Sequence, residues 1–336
     1  YTTSGIDFSE DKLDIFELAA DIDPSNITIV TIYETATNGR ILSSRSKADP
    51  NSYPWILSKT TIETSNGTSQ YYKENHRHND NQHIFISGLA RSGSTLLLNL
   101  LYNSIEYCSL TYNDMPFILA PNLWSKIFKT SEKNINLVKR AHDDLIKINI
   151  NSPKSFEEIF WKMILENKYI TKKNLIKIKI TKQQIEKFNN FINLICLKYQ
   201  KKNYLSKNNN SILRIQDILT YFNNSFFIIP FRHPVDHANS LLNQHIRFQK
   251  IQLKNKFIKN YMNWLGHYEF GLNHLSFKLE NLNQTYNKES TNYWLLNWIH
   301  YYSYVLKFYK NSKNNTRIIF INYEKVCSLK YNYLNE

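Results

Sequence analysis

The stretch that decides the fold reads His83-Ile-Phe-Ile-Ser87, then Gly88-Leu-Ala-Arg-Ser-Gly93, then Ser94-Thr-Leu-Leu-Leu-Asn-Leu-Leu-Tyr102. The first part predicts a short buried strand, the second a loop, and the third a helix with a dense leucine face. A strand, a loop and a helix in this order form the opening unit of an α/β fold.

The same alternation continues along the chain. We expect strands at residues 225–231 and 317–322, and helices at 185–199, 213–221, 257–270 and 293–308, with another beginning at Pro234. The proline fits a first helical turn because its missing N–H has no intrahelical partner there. Strands separated by helices indicate a parallel sheet with right-handed crossovers.

The loop from Gly88 to Thr95 has the frame Gly-x-x-x-x-Gly-x-Ser/Thr, which is typical of nucleotide phosphate loops. Glycine lets the backbone curl so that N–H groups point at an anion, and the following helix N-terminus adds partial positive charge. Arg91, Ser92 and Ser94 add side-chain donors. The sequence therefore predicts a P-loop-containing nucleotide-binding fold of the α/β class, with a central parallel sheet flanked by helices.

Two positions distinguish this loop from the loop of nucleoside triphosphatases. The residue after the second glycine is Ser94, where those enzymes have a lysine that reaches the β- and γ-phosphates. The strand at 225–231 leads into Arg232, where an aspartate would help to hold magnesium. The loop therefore suits a 5′-phosphate that carries a sulfonate better than a metal-bound triphosphate.

Two segments together resemble the sulfotransferase superfamily. Ala90-Arg-Ser-Gly-Ser-Thr95 resembles its Pro-Arg-Ser-Gly-Thr-Thr loop. Phe231-Arg-His-Pro234, followed by Ser240, resembles its strand-end arginine, Asp/Asn/His-Pro pair and helix serine. From about residue 83 to 327 the chain is similar to a bacterial-type sulfotransferase family and, more distantly, to tyrosylprotein sulfotransferases.

The resemblance implies transfer of a sulfuryl group from 3′-phosphoadenosine-5′-phosphosulfate (PAPS) to an acceptor hydroxyl or amine, without a metal ion. It implies that Arg232 and Ser240 hold the 3′-phosphate of this co-substrate. It also implies that Tyr323, in a segment that resembles the family's late Tyr-Glu pair, touches the nucleotide. The residues expected to bind the 5′ end are Gly88, Arg91, Ser92, Gly93, Ser94 and Thr95.

A lysine between the two anchors is the main catalytic candidate. Residues 204–215 resemble the Lys-x-Pro segment of tyrosylprotein and related sulfotransferases, which implies that Lys207 stabilises the leaving phosphate. Asn208-Asn209 replace the family's x-Pro, so the shape of this loop is left open. Arg91 of the phosphate loop is a second catalytic candidate.

Two residues compete for the role of the base that activates the acceptor. Asp114 is the only carboxylate in residues 109–120, near the region where the tyrosylprotein enzymes have a glutamate. The alternative for Asp114 is a helix cap ahead of a proline. His142 is followed by two aspartates, which suits a tuned base or a solvent-facing cap.

Two further segments concern the acceptor. Glu157 and Glu158 open an aromatic helix and are candidates for the lining of the acceptor pocket. Residues 261–270 carry His267 and Glu269 among aromatic side chains. A packed core helix is the favoured interpretation of that segment, and a wall of the acceptor site is the alternative.

The composition of the chain limits which classes of binding partner are expected. A formal net charge of +14 suits an anionic partner. Arginine is sparse, which argues against nucleic acid, so we expect a small-molecule or glycan acceptor and leave the oligomeric state open. The alternative functions are a P-loop kinase or ATPase, and a catalytically inactive nucleotide- or polyanion-binding module.

Cysteine and histidine spacing predicts no metal site and no disulfide framework. The three cysteines stand far apart, which indicates a reducing compartment such as the cytoplasm. A Golgi lumen is the alternative for a eukaryotic chain with an N-terminal anchor. No apolar run is long enough to span a bilayer. His76, His78 and His83 lack partners at metal-ligand spacing, so we expect a solvated polar linker.

Two units are expected along the chain. Residues 1–80 form a polar segment of unknown role that ends in the linker, with one β-like run at 27–33. Residues 81–336 form the sulfotransferase domain implied by the resemblance. The family's C-terminal nucleotide-closing segment is expected to be missing.

Overall fold

The computed structural model describes residues 29–30, 45–46, 81–104, 106–115, 117–122, 138–139, 147–279 and 287–333. The strands are β1 Ile29–Val30, β2 Arg45–Ser46, β3 Ile84–Ile86, β4 Tyr107–Cys108, β5 Val138–Lys139, β6 Lys147–Ile148, β7 Asn174–Ile176, β8 Asn203–Lys207, β9 Phe226–Phe231, β10 Ser276–Lys278 and β11 Ile318–Asn322. The helices are α1 Ser94–Tyr102, α2 Glu157–Ile164, α3 Lys182–Tyr199, α4 Ile215–Tyr221, α5 Pro234–Lys254, α6 Lys256–Trp264, α7 Thr291–Asn311 and α8 Tyr323–Tyr333.

Five of these strands form the central sheet, in the order β11-β9-β3-β8-β4 and with parallel pairing throughout. In this sheet Ile86 pairs with Lys207 of β8 on one side and with Ile228 of β9 on the other. Parallel neighbours cannot be joined by a tight hairpin, so helices carry the chain between them. The predicted α/β class, with a central parallel sheet flanked by helices, is confirmed.

Both faces of β3 are covered by apolar side chains. Phe85 belongs to the larger core and packs against Phe188 of α3, with 6.2 Å between ring centroids. Ile86 belongs to a second core with Leu97 and Leu98 of α1. Side chains alternate along a strand, so neighbouring residues serve opposite faces. The short strand is thereby fixed between two helical layers.

Helix bounds agree with the sequence in part. The helix predicted from Ser94 to Tyr102 has those bounds. The helix expected at 213–221 is a 3-10 helix, Asn209–Arg214, followed by α4. The helix expected to reach Phe270 ends at Trp264, because the chain turns at Gly266, which has a φ of 74°.

The expected solvated linker ends before His83. Its Nδ1 accepts a hydrogen bond from the N–H of Tyr204 at 3.0 Å, and only 2% of the residue is exposed. Burial lowers the pKa of His83 to about 4, so the ring is neutral at physiological pH. His83 therefore belongs to the buried segment predicted to begin with it, while His76 and His78 lie outside the described residues.

Little of the N-terminal segment is described. Of the β-like run at 27–33, the described part is β1, which pairs antiparallel with β2. Within the described ranges, none of the helices combines the length and the apolar character that crossing a membrane requires.

Candidate functional site

Four segments meet at the carboxyl edge of the central sheet. The predicted phosphate loop follows β3, and Lys207 ends β8. Arg232 follows β9, and Tyr323 follows β11. In the sheet β3 lies between β8 and β9, which both come later in the chain. The connections to the two sides of β3 therefore run in opposite directions and leave a crevice at the carboxyl end of β3. Ligands of open α/β sheets bind in crevices of this kind.

The loop between β3 and α1 is tightly curled. Arg91 has a φ of 69° and Gly93 a φ of 92°, both in the left-handed region that favours glycine. A Cβ atom on Gly88 would lie 2.7 Å from Ser92 Oγ, and one on Gly93 would clash with the ring of Tyr323. Both glycines of the predicted phosphate loop are therefore required by close contacts.

The inside of this loop offers donors to an anion. Ser92 is fully buried, and its Oγ has no hydrogen-bond partner among the described residues. Buried polar atoms nearly always have a partner, so an uncommitted hydroxyl suits a ligand. Ser94 and Thr95 begin α1, whose first N–H groups have no intrahelical partner. Backbone and hydroxyl donors thus surround one position.

The second predicted anchor lies against the loop. Arg91 Nε donates to Ser240 Oγ at 3.2 Å, and Arg232 Nη1 donates to the carbonyl oxygen of Arg91 at 3.3 Å. The guanidinium of Arg232 lies 4.7 Å from the ring centroid of Tyr323, and the same ring covers Gly93. The structure therefore brings both predicted anchors and the predicted tyrosine into one cluster.

Arg232 keeps donor capacity within this cluster. Its Nε lies 3.9 Å from Glu324 Oε1 and has no hydrogen-bond partner in the described part of the chain. Glu324 Oε1 accepts from the N–H of His233 at 3.0 Å, and 44% of the glutamate side chain is exposed. A guanidinium held over an aromatic ring, with N–H groups to spare, suits a phosphate oxygen.

His237 is a loop contact that the sequence did not indicate. Its Nε2 donates to the carbonyl oxygen of Ala90 at 2.8 Å. Burial lowers the pKa of His237 to about 4, so the neutral ring keeps this bond at physiological pH. The residue supports the loop from α5. A single buried histidine on a helix has no distinguishing pattern.

Lys207 is placed beside the phosphate loop. It is the last residue of β8 and pairs with Ile86 of β3. Its carbonyl oxygen accepts from Ser155 Oγ at 2.6 Å, and the N–H of Asn208 donates to the carbonyl oxygen of Ile86 at 3.0 Å. These bonds fix the backbone of Lys207 on the side of β3 opposite to Arg232, which follows β9.

The loop after Lys207, whose shape the sequence left open, is the 3-10 helix Asn209–Arg214. Asn208 caps it, since its side-chain oxygen accepts from the N–H of Asn210 at 3.0 Å. The amide of Asn208 also donates to Glu158 at 2.7 Å. The path of the chain away from Lys207 is therefore set by a polar cap and a buried carboxylate.

Glu157 and Glu158 do not line an acceptor pocket, contrary to expectation. Each is 2% exposed. Arg214 donates from Nη1 and Nη2 to the two oxygens of Glu158, at 3.0 and 2.9 Å. Glu157 accepts from the side chains of Ser206, Asn208, Ser211, Tyr204 and Trp161. Their oxygens are committed to groups inside the fold, because a buried carboxylate needs such partners.

Asp114 does not fit the role of a general base. It is fully buried, and it completes a capping box with Thr111 at the start of the 3-10 helix Tyr112–Asp114. One oxygen accepts from Lys198 Nζ at 2.7 Å, and the other from Tyr199 Oη at 2.8 Å and from the N–H of Thr111. A base needs a lone pair that faces the acceptor. The capping alternative describes this residue, and the rival base His142 lies outside the described residues.

A cavity opens beside the phosphate loop and contains a carboxylate that the sequence analysis placed in a packed core. It is bordered by Leu89 and Ala90 of the loop and by Glu269. Glu269 Oε1 accepts from Asn209 Nδ2 at 2.8 Å and lies 3.4 Å from His267 Nδ1. The apolar side chains of residues 261–270 pack in the larger core, as the favoured interpretation expects, and Tyr268 and Glu269 also border the cavity.

Comparison with known proteins is consistent with this geometry. Residues 83–289 match the sequence model of a family described as "Sulfotransferase family". No curated protein sequence matches the chain.

Two solved structures align with this chain at low sequence identity. The crystal structure of the sulfotransferase STF1 from Mycobacterium tuberculosis aligns with a TM-score of 0.40 and 9% identity, over 82% of this chain and 72% of that one. The crystal structure of the sulfotransferase STF9 from Mycobacterium avium aligns with a TM-score of 0.31 and 12% identity, over 72% of this chain and 74% of that one.

Proposed function

Because this chain belongs to the sulfotransferase family and is therefore a transferase, we propose that it moves a sulfuryl group from PAPS to an acceptor hydroxyl or amine. The observation that carries this proposal is that Arg91, Arg232 and Ser240 contact one another at the loop of residues 88–95. The same loop contains the buried hydroxyl of Ser92, which has no hydrogen-bond partner among the described residues. PAPS presents two phosphate groups, and the cluster offers two separate sets of donors.

In this proposal the loop binds the 5′-phosphosulfate. The N–H of Ser92 already donates to the carbonyl oxygen of Leu89, so the other N–H groups of the loop act on one anion, together with the hydroxyls of Ser92, Ser94 and Thr95 and the start of α1. Since these donors are neutral dipoles and fixed by the fold, they need little reorganisation when charge develops on the phosphate.

The second anchor binds the 3′-phosphate in the same scheme. The guanidinium of Arg232 packs against the ring of Tyr323 and donates to the carbonyl oxygen of Arg91. These two contacts fix the direction of its planar donor group. Ser240 donates from the adjacent helix α5 while its oxygen receives Arg91 Nε. Arg91 thereby connects the two phosphate subsites.

Lys207 is the residue that we assign to the leaving group. It ends β8 and pairs with Ile86 of β3, the strand that leads into the loop proposed to hold the 5′-phosphate. A positive charge there stabilises the oxygen that becomes a phosphate oxygen when its bond to sulfur breaks. The acceptor enters from the side of the cavity bordered by Leu89 and Ala90.

We also propose a reducing compartment such as the cytoplasm as the place of action. The three cysteines are free thiols, and Cys108 Sγ donates to Cys196 Sγ at 3.5 Å. Free thiols are typical of such compartments.

Calorimetric titration of the protein with adenosine 3′,5′-bisphosphate and with 5′-AMP tests the proposed donor. A charge-assisted contact to the 3′-phosphate contributes about 1.5–3 kcal/mol, so the bisphosphate should bind roughly 10- to 100-fold more tightly. Equal affinities for the two nucleotides would refute the PAPS assignment. ATP with magnesium serves as the control for a triphosphate site and should bind more weakly than the bisphosphate.

A further inference from the structure

The cavity beside the phosphate loop has an apolar, aromatic wall and one acidic group. Its wall includes Tyr268, Phe277, Trp294 and Tyr301. Among the described residues that border it, Glu269 is the one carboxylate, and none is a lysine or an arginine. Concave sites with aromatic walls and a few placed polar groups are typical of binding sites for small organic molecules.

Glu269 is ionised in this surrounding. Burial raises the pKa of Glu269, but the charge of His267, its hydrogen bond and the charge of Lys207 outweigh burial and lower the pKa to about 2. Only 15% of the side chain is exposed. A carboxylate charge is thus held at the border of an apolar cavity.

A short chain of contacts connects Glu269 to the start of the phosphate loop. Ser87 Oγ donates to the carbonyl oxygen of Asn209 at 3.3 Å, and Asn209 Nδ2 donates to Glu269 Oε1 at 2.8 Å. Ser87 directly precedes Gly88, and Leu89 and Ala90 border the same cavity. Glu269 therefore lies between the cavity and the end of the loop that holds the transferable group in the proposed function.

We propose that Glu269 is the catalytic residue that takes the proton of the acceptor, and that the cavity admits an uncharged, ring-bearing molecule with a hydroxyl group. The proposal rests on the sulfotransferase function proposed above. His267 and Asn209 are positioning residues, since both contact Glu269 Oε1.

In the reaction the acceptor oxygen forms a bond to sulfur while the bond between sulfur and the bridging phosphate oxygen breaks. The electron pair of the broken bond stays on the phosphate oxygen, beside Lys207. The hydroxyl proton moves to Glu269, and the products are a sulfate monoester and adenosine 3′,5′-bisphosphate. The hydroxyl becomes strongly acidic as its oxygen bonds to sulfur, so a weakly basic carboxylate is sufficient.

The chemistry of the wall selects the acceptor class. Flat rings bury apolar area against aromatic side chains. An anionic acceptor would place its charge beside the Glu269 carboxylate, and none of the described residues that border the cavity is a lysine or an arginine. An ammonium group would pair with Glu269, but its nitrogen has no lone pair with which to attack sulfur. A neutral alcohol or phenol avoids both difficulties.

The test uses 2-naphthol and 6-hydroxy-2-naphthoic acid, which share a ring system and differ in one carboxylate. Wild-type protein with PAPS should sulfate 2-naphthol with a kcat/KM at least about 10-fold higher than the acid. Glu269→Gln should lower kcat on 2-naphthol by roughly 100-fold or more, with KM changed by less than about threefold. Glu186→Gln, the same change on a side chain that is 46% exposed on α3, is the matched control and should leave kcat unchanged.

Glu269→Ala separates proton transfer from a structural role. Formate in the assay should restore part of the lost rate by placing a carboxylate where Glu269 was, whereas a structural defect would not respond. Adenosine 3′,5′-bisphosphate titration of every variant identifies a folded nucleotide site. Tight bisphosphate binding together with a wild-type rate in Glu269→Gln, no rescue by formate, preference for the acid, or no sulfation of 2-naphthol overturns this inference. Failure to bind the bisphosphate instead overturns the proposed function.

Discussion

Two groups of charged side chains at the same end of the central sheet use their hydrogen bonds differently. In the carboxylate network, formed by Glu157, Glu158, Arg214 and Asn208, each of the four carboxylate oxygens accepts at least two hydrogen bonds. In the anchor cluster, formed by Arg91, Arg232, Ser240 and Tyr323, the cations contact a hydroxyl, a carbonyl oxygen and a ring.

The closeness of the ion pairs shows the same contrast. Arg214 Nη2 lies 2.9 Å from Glu158, and both side chains are 2% exposed. Arg232 Nε lies 3.9 Å from Glu324, and the two side chains are 21% and 44% exposed. The Arg214–Glu158 pair neutralises its charges inside the fold, whereas Arg232, whose Nε has no hydrogen-bond partner in the described part of the chain, is suited to a ligand. The comparison teaches that burial of a charged residue is by itself no sign of function.

The largest expected effect comes from breaking the carboxylate network. Arg214→Ala should lower the free energy of unfolding by about 3–5 kcal/mol, because Glu158 is left as an uncompensated buried charge. Urea unfolding monitored by circular dichroism measures this. Lys182→Ala, which removes an exposed partner of Glu186 at 4.0 Å, is the control and should change stability by less than about 1 kcal/mol. Similar losses in the two variants would remove the distinction between the groups.

Next in size is the effect of Lys207 on the chemical step. Lys207→Ala should slow single-turnover sulfuryl transfer by roughly 100-fold, the contribution typical of one preorganised donor. Nucleotide affinity and unfolding free energy should change little, because the backbone bonds that place Lys207 remain. Lys202→Ala, at an exposed position before β8, is the control. A wild-type rate in Lys207→Ala would remove the residue from the mechanism.

Arg232 is expected to have the next largest effect, on selectivity between nucleotides. Arg232→Ala should erase most of the roughly 10- to 100-fold preference for adenosine 3′,5′-bisphosphate over 5′-AMP, with 5′-AMP affinity nearly unchanged. Arg91→Ala should weaken both nucleotides together, since Arg91 belongs to the 5′ loop. Calorimetry of both variants measures these changes. A preference that survives Arg232→Ala would place the 3′-phosphate elsewhere.

Ser240→Ala tests the same 3′-phosphate site and should change nucleotide affinity less than Arg232→Ala does. The hydroxyl contributes one neutral hydrogen bond, worth about 0.5–1.5 kcal/mol, so bisphosphate affinity should fall roughly 2- to 10-fold. Its Oγ accepts from Arg91 Nε at 3.2 Å, so a part of this loss should extend to 5′-AMP. The same titration measures both. No change for either nucleotide would exclude Ser240 from the anchor.

The smallest expected effect is that of metal removal, which should be none. The anchor cluster supplies arginine donors where triphosphatases use a lysine and a magnesium-holding aspartate, so the transfer rate in excess chelator should stay within about twofold of the untreated rate. An activity that disappears with chelator and returns with magnesium would revive the kinase interpretation.

The anchor cluster was predictable from sequence because it is built from local motifs at strand ends. Gly88 and Arg232 follow the apolar runs that form β3 and β9, Gly93 lies five residues after Gly88, and parallel strands carry such positions to one edge. The start of α1 and the strand at 226–231 were predicted from the hydrophobic pattern. The start of α5 was predicted from Pro234. Their roles toward PAPS remain predictions.

The carboxylate network and the cavity were not predictable in this way. The opening of α2 by Glu157 and Glu158 looks like a solvated helix start, and the partners of Glu158 lie 11 to 56 positions away. Asp114 has the spacing of a capping box, but nothing in the sequence shows that Lys198 reaches it. Strand β8 was not predicted because it contains only three buried residues, between the polar residues Asn203 and Lys207. The position of Glu269 at the cavity could not be predicted without knowing that α6 ends at Trp264.

The central place of β3 has a consequence for how the protein reaches its folded state. Ser87 and Asn209 are 122 positions apart, and Arg91 and Arg232 are 141 apart. During synthesis β3 emerges long before either neighbour, and pairing between such distant segments is slow. The phosphate loop therefore acquires its shape only when β9 has docked. A nucleotide that binds this late-formed site binds the folded state alone, so it shifts the folding equilibrium by mass action.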